Sequence, residues 1–351
     1  MRIGGMFPLE QVDEKRKNNF FKENYLGNLQ FLLSGRCAIY YCLLDIPSIE
    51  NKTAYLPAYN CETVIDSYIK AGWKCRFYDV DKTNLQPIYN DEDLDKVGLV
   101  HICGYFGFHH KNQEFLQKCK DKKIVILQDS TFTPYAINPL SDYVAGSFRK
   151  WMGIPSGGVA LKRCGKFKNN PKEIDQNHLK GRLDSMEYRK KAIDLNNKEY
   201  NELATSKFWE TELSFRKTFD NFASDELSVK ILNSFDFEEM KKKRIENYKT
   251  IISSLTASKF FYPVFNLKLE ESDCPSHICF YVKDREKLKQ YLLDNEISST
   301  TYWPVPPILK KSIKTFPNAH FIYDHILSIQ IDQRYNRDDM KYLVEILNSY
   351  C

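Results

Sequence analysis

Residues 142–161 read DYVAGSFRKWMGIPSGGVAL. An apolar run ends near Gly146, Ser147 and Lys150 follow at S-x-x-K spacing, and Gly157-Gly158 precede a second apolar run. A lysine held at a strand exit and partly desolvated offers an amine that can attack an aldehyde. Ser147 can donate a hydrogen bond to a phosphate, and the glycine pair lets backbone pass close to a bound group. Taken alone the spacing arises by chance and fits a surface lysine on a turn.

Neighbouring segments raise the odds. The apolar run 124–127 ends in Gln128-Asp129-Ser130. An acid at the carboxyl end of a strand, upstream of a candidate lysine, suits the partner of a pyridinium nitrogen, which it keeps protonated so that the ring acts as an electron sink. It equally suits a helix cap. Leu33-Ser34-Gly35-Arg36-Cys37-Ala38 opens the first amphipathic stretch. Backbone N–H groups at such a helix start face a phosphate favourably, although Ser34 reads equally well as an ordinary cap. Neither a Walker P-loop nor a complete Rossmann glycine fingerprint is present in the sequence.

Strands are expected at 53–56, 75–78, 99–103, 124–127 and 143–146, with helices at 36–44, 61–71 and 112–120. This alternation predicts a mostly parallel central sheet flanked by helices, an α/β large domain. Ligands of such sheets sit beyond the carboxyl ends of the strands. From about 174 to 256 the pattern turns long, charged and helical. Strands at 278–282, 298–301 and 327–331 with helices at 286–295 and 337–347 then predict a small C-terminal α/β domain. The expected division is 1–240 for the large domain and 241–351 for the small one.

The chain has 351 residues, 42% hydrophobic and 14% aromatic, enough for a sizeable core. Its 51 basic and 46 acidic residues leave a net charge of +5, which argues for no nucleic-acid or membrane partner. The run Lys241, Lys242, Lys243, Arg244 reads as a solvated helix face. The 10 cysteines form no CxxC pair and no zinc-spaced cluster. They are expected to be reduced thiols, mostly buried, of a cytoplasmic protein. MRIGGMFPLE lacks the apolar stretch of a signal peptide, and no segment approaches the ~20 apolar residues of a membrane span.

The ordered set of segments resembles the DegT/StrS-type sugar aminotransferases, fold type I enzymes dependent on pyridoxal 5'-phosphate. It runs from Ile3-Gly4-Gly5 and Ser34-Gly35 through Leu56-Pro57-Ala58-Tyr59, Phe77-Tyr78-Asp79-Val80-Asp81 and Gly104-Tyr105-Phe106-Gly107. It continues through Asp129, Lys150, Gly157-Gly158 and the segment Asn221–Leu227, and ends with Thr301-Tyr302-Trp303-Pro304 and Phe316-Pro317. The resemblance implies that Lys150 carries the cofactor as a Schiff base and that Asp129 pairs with its ring nitrogen. Ser147, Gly35 and Arg36 would hold the phosphate, Asn221 would reach the cofactor of the neighbouring subunit in a homodimer, and Cys61 occupies the position over the ring face. The substrates implied are a nucleotide-linked keto sugar and an amino donor, Glu or Gln, in surface polysaccharide or glycoside biosynthesis.

The sequence departs from the family at Cys61, which is not aromatic, at Phe132, where Gln or His is common, and at Pro155-Ser156 ahead of the glycine pair. These leave open a dehydratase or other lyase, which the presence of Lys150 opposes, and a non-catalytic sugar-nucleotide-binding or regulatory protein of the same fold. Trp151 is expected to pack beside the lysine loop, His101 to be a core histidine, and His109-His110 to lie in a solvated loop. Tyr302 and Trp303 fit a pocket wall or the core.

Overall fold

Leu99–Cys103 is buried at every residue, and Val125–Asp129 at every residue but its first. Such uninterrupted burial requires a sheet covered on both faces. The computed structural model describes residues 3–47, 50–109, 112–264 and 269–350. His110 and Cys351 lie outside the described residues.

The large sheet is built from β1 (Asn28–Leu32), β2 (Thr53–Pro57), β3 (Lys74–Val80), β4 (Pro87–Ile88), β5 (Leu99–Cys103), β6 (Val125–Asp129), β7 (Tyr143–Ser147) and β8 (Gly158–Lys162). Its order is β1-β8-β7-β6-β5-β2-β3-β4. The five central strands β7, β6, β5, β2 and β3 run parallel, and the outer three are antiparallel to their neighbours. The smaller sheet, β11-β12-β10-β9, is antiparallel and comprises β9 (Phe261–Pro263), β10 (His277–Val282), β11 (Ser299–Thr300) and β12 (Ile326–Gln330).

The helices are α1 (Phe20–Asn24), α2 (Gly35–Asp45), α3 (Glu62–Lys70), α4 (Asp91–Leu94), α5 (Gln113–Asp121), α6 (Gln176–Asp194) and α7 (Lys198–Thr218). They continue with α8 (Glu226–Ser234), α9 (Phe237–Ser254), α10 (Arg285–Asp294), α11 (Pro317–His325) and α12 (Arg337–Asn348). Starts are marked by side-chain caps: Ser34 accepts from Cys37 N–H, Asp175 from His178 N–H and Asn336 closes a capping box with Asp339.

The expected mostly parallel sheet and the second α/β unit are both present, with boundaries shifted by a residue or two. The edge strand β1, formed against β8, and the helix α11 were not expected. Two of the bland readings need correction. Arg244 does not lie on a solvated face: it is 1% exposed, its guanidinium lies 4.6 Å from the Trp151 ring centroid, and it donates to Trp151 O (3.1 Å) and Gln333 Oε1 (3.0 Å). His109 is half-buried and its Nδ1 lies 3.0 Å from Asp273 Oδ1. His101 is a buried core histidine bonded through Nδ1 to Tyr68 OH at 2.9 Å. Among the described residues every cysteine is free, and no helix is long and apolar enough to cross a membrane.

Candidate active site

β6 and β7 end side by side, Asp129 pairing in register with Ala145. Asp129 therefore closes one strand and Ser147 the next, at the edge where α/β sheets bind ligands. Beyond Ser147 the chain makes a short 3-10 turn, Phe148–Lys150, whose Phe148 is buried and fixes the turn. Lys150 leaves it half-buried, with Nζ 5.1 Å from the Phe132 ring centroid and 4.9 Å from that of Tyr302. With the described residues Lys150 forms no ion pair. Trp151, fully buried, donates its indole N–H to Thr131 O at 2.7 Å and ties the loop to the segment after β6.

Asp129 is 7% exposed and accepts a hydrogen bond from Thr131 N–H at 2.8 Å. Burial pushes its carboxyl above the usual carboxylate range, and the Thr131 hydrogen bond and the Lys150 charge offset only part of that. It is a buried acid short of a positive partner. The N-terminus of α2 lies against the same loop. A Cβ added at Gly35 would sit 3.1 Å from Ser147 Cβ, so glycine permits the close approach. The first N–H groups of any helix have no partner within it.

Lys150, Asp129, Ser147 and Gly35 are thus gathered at one place. Asn221 is 5% exposed, its Oδ1 lacks a partner among the described residues, and the next residue, Phe222, accepts from Leu33 N–H at 2.9 Å at the entry to α2. Cys61 caps no N–H of α3. Its Sγ lies 3.1 Å from Thr63 Oγ1. The side chain of Arg36 pairs with Glu212, Nη2 lying 3.6 Å from Oε2. Tyr59, two residues before Cys61, is fully buried. It donates to Tyr302 O and packs on Tyr105, Trp303 and Tyr323.

Reasoning from sequence missed His277. It lies on β10, 2% exposed, with its ring centroid 5.2 Å from that of Tyr302 and its Nε2 without a partner. Burial, then the charges of Arg244 and Lys150, lower its pKa to about 3, so the ring is neutral at ordinary pH. A lone His before an apolar run carries no signal of this placement.

The residues present fit pyridoxal phosphate on two observations: a buried carboxyl lacking full counter-charge and a helix start held against Ser147.

No protein-family model matches the chain. Over 74 residues it is 28% identical to dTDP-3-amino-3,6-dideoxy-alpha-D-galactopyranose transaminase of Aneurinibacillus thermoaerophilus, a match spanning 20% of this chain and 20% of that relative. Among solved structures, the aminotransferase TlmJ from Streptoalloteichus hindustanus superposes with a TM-score of 0.69 at 13% identity, covering 99% of this chain and 98% of the other. The PLP-form of the putative sugar aminotransferase Spr1654 from Streptococcus pneumoniae gives 0.62 at 12% identity, covering 99% and 92%. At these identities the likeness speaks for the fold: from end to end, the chain is folded as these aminotransferases are.

Proposed function

We propose that the chain is a pyridoxal-phosphate-dependent aminotransferase that moves an amino group from Glu or Gln to a nucleotide-linked keto sugar, serving surface polysaccharide or glycoside biosynthesis. One observation carries the reading: an amine without an ion-pair partner, Lys150, and a buried, under-compensated acid, Asp129, share the carboxyl edge of a parallel sheet. The aminotransferase fold and the short match to a dTDP-sugar transaminase support it. The domain boundary is placed near residue 240, at the start of α9 (Phe237–Ser254), and the protein in the cytoplasm, in keeping with its free thiols.

Bound at this edge, pyridoxal phosphate supplies a ring that withdraws electrons from the carbon bearing the amino group. Lys150 holds the cofactor in the resting enzyme. Its Nζ then accepts and returns the proton that moves during transfer. Asp129 keeps a proton on the ring nitrogen, and that pairing relieves the cost of burying its carboxylate. Ser147 and the N–H groups of Gly35 and Arg36 bind the phosphate. Asn221 reaches the phosphate of the second subunit, which makes a homodimer the active unit. Cys61, which is not aromatic, would lie over the ring face without stacking on it.

The test is spectroscopic. Adding pyridoxal phosphate should produce an absorbance band at the violet edge of the visible, and adding glutamate should bleach it. Recovery of the band with a nucleotide-linked keto sugar identifies the acceptor. A band unmoved by glutamate and glutamine contradicts transamination.

A further inference from the structure

Arg149, next to Lys150 on the same turn, belongs to a second polar cluster, whose side chains the proposed chemistry does not use. Arg149 donates to Glu212 Oε1. Arg36 Nη2 lies 3.6 Å from Glu212 Oε2, and Arg182 Nη1 3.9 Å and His178 Nε2 3.8 Å from Glu212 Oε1. The close packing of α6 on α7 brings them together. A Cβ at Gly181 would sit 2.3 Å from Thr211 Oγ1, so only glycine permits Arg182 and Glu212 to approach this way.

Three guanidiniums therefore share one carboxylate. Arg182 is 5% exposed and His178 3%. Arg182 Nε and Nη1, Arg36 Nη1 and His178 Nδ1 are all buried without a hydrogen-bond partner among the described residues. Arg149 Nη1, 3.5 Å from His178 Nε2, can only donate. His178 Nε2 is then an acceptor, and its Nδ1 is left as a free N–H. Buried N–H groups of charged side chains are costly to leave unmade. Their number here, converging from α2, the lysine loop and α6 with a charge excess of about two over the single carboxylate, is the pattern of a doubly charged oxyanion site.

We propose that Arg36, Arg149, Arg182 and His178 bind a phosphate-class oxyanion, a phosphate monoester or a diphosphate, with Glu212 as the standing counter-charge that the ligand supplements or displaces. Arg36 adjoins Gly35, and Arg149 adjoins Lys150, so the site flanks the cofactor's phosphate seat. Whether the anion belongs to the cofactor or to a nucleotide-linked substrate rests on the function proposed above. Binding of the anion itself does not.

Calorimetric titration of the full chain with inorganic pyrophosphate, in phosphate-free buffer, tests this. Saturable binding is expected in the wild type and in Lys150→Ala, about tenfold weaker in Arg182→Met, and equal or tighter in Glu212→Gln, because the competing carboxylate is gone. Circular dichroism establishes that each variant is folded. No saturable wild-type binding overturns the site, as does unchanged affinity in folded Arg182→Met or lost affinity in folded Glu212→Gln. Should Glu212→Gln not fold, the wild type and Arg182→Met decide alone. Competition by pyridoxal phosphate but not pyridoxal assigns the anion to the cofactor; competition by a nucleoside diphosphate assigns it to the substrate. Pyrophosphate binding in Lys150→Ala without any cofactor binding by the wild type would sink the aminotransferase reading and leave this site standing.

Discussion

Arg149 and Lys150 are adjacent in sequence and enter opposite environments. Lys150 points between the rings of Phe132 and Tyr302, with His277 behind them, and meets no carboxylate in an ion pair among the described residues. Arg149 points into the cluster of Glu212, His178, Arg36 and Arg182. A single 3-10 turn holds side by side an amine kept free and a guanidinium that is committed. The contrast teaches how the loop can be rigid and reactive at once: Arg149, Phe148 and Trp151 anchor it, so Lys150 needs no salt bridge of its own.

The comparison breaks most visibly at Lys150. Lys150→Ala should lower turnover by about 10²–10⁴-fold, as loss of a proton-transferring group does, and abolish the visible band while leaving the melting temperature nearly unchanged. Arg149→Met should act on stability as well, costing about 1–3 kcal/mol in a urea titration because it removes a guanidinium that donates to the buried Glu212. If Arg149→Met is neutral in stability, the two sides do not differ in the way described.

The two sides share one feature that pH can probe. Burial first, then neighbouring cations, lower the pKa of His178 on the ionic side and of His277 on the aromatic side to about 3. Both are neutral when folded and take up a proton near pH 6.5 when unfolded. The stability from these neutral rings is therefore complete above about pH 6.5 and is lost as pH falls toward 3, at about 1.4 kcal/mol per pH unit for each ring. Urea midpoints between pH 7 and 5 should show this slope, and His178→Gln or His277→Gln should each remove about one proton from it. Glu212 behaves as an acid held down. Burial opposes its ionisation, but Arg149, Arg182, His178 and Arg36 bring it to about 2, so its contribution persists above about pH 4.5 and fades as pH falls toward 2. The smallest effect belongs to Phe132→Leu, expected to cost less than about 1.5 kcal/mol in thermal denaturation and to leave cofactor loading intact.

Much of the aromatic side was legible in the sequence. The apolar runs at 99–103 and 143–146 lie where β5 and β7 form, and the strand before Asp129 extends to include it because Asp129 still pairs with Ala145. Strand ends are where an α/β sheet shows its ligand-facing residues, so position made Lys150 and Asp129 candidates, and the family resemblance gave them their expected roles. The ionic side was not legible. His178, Arg182 and Glu212 sit in long charged stretches that read as solvated helices. Their burial comes from the close approach of α6 to α7 at Gly181 and Thr211, a contact between residues 30 apart that no periodicity announces. Arg244 escaped for the same reason: a basic run on a helix hides the one member that turns inward to Trp151.

The central claim, that the free amine of Lys150 is where the cofactor is held, is tested most directly by borohydride reduction of the protein mixed with pyridoxal phosphate, followed by peptide mass spectrometry. The account predicts one modified lysine, Lys150, at near-stoichiometric yield and no such adduct in Lys150→Ala. Scattered labelling of surface lysines, with Lys150 unmodified, would contradict it.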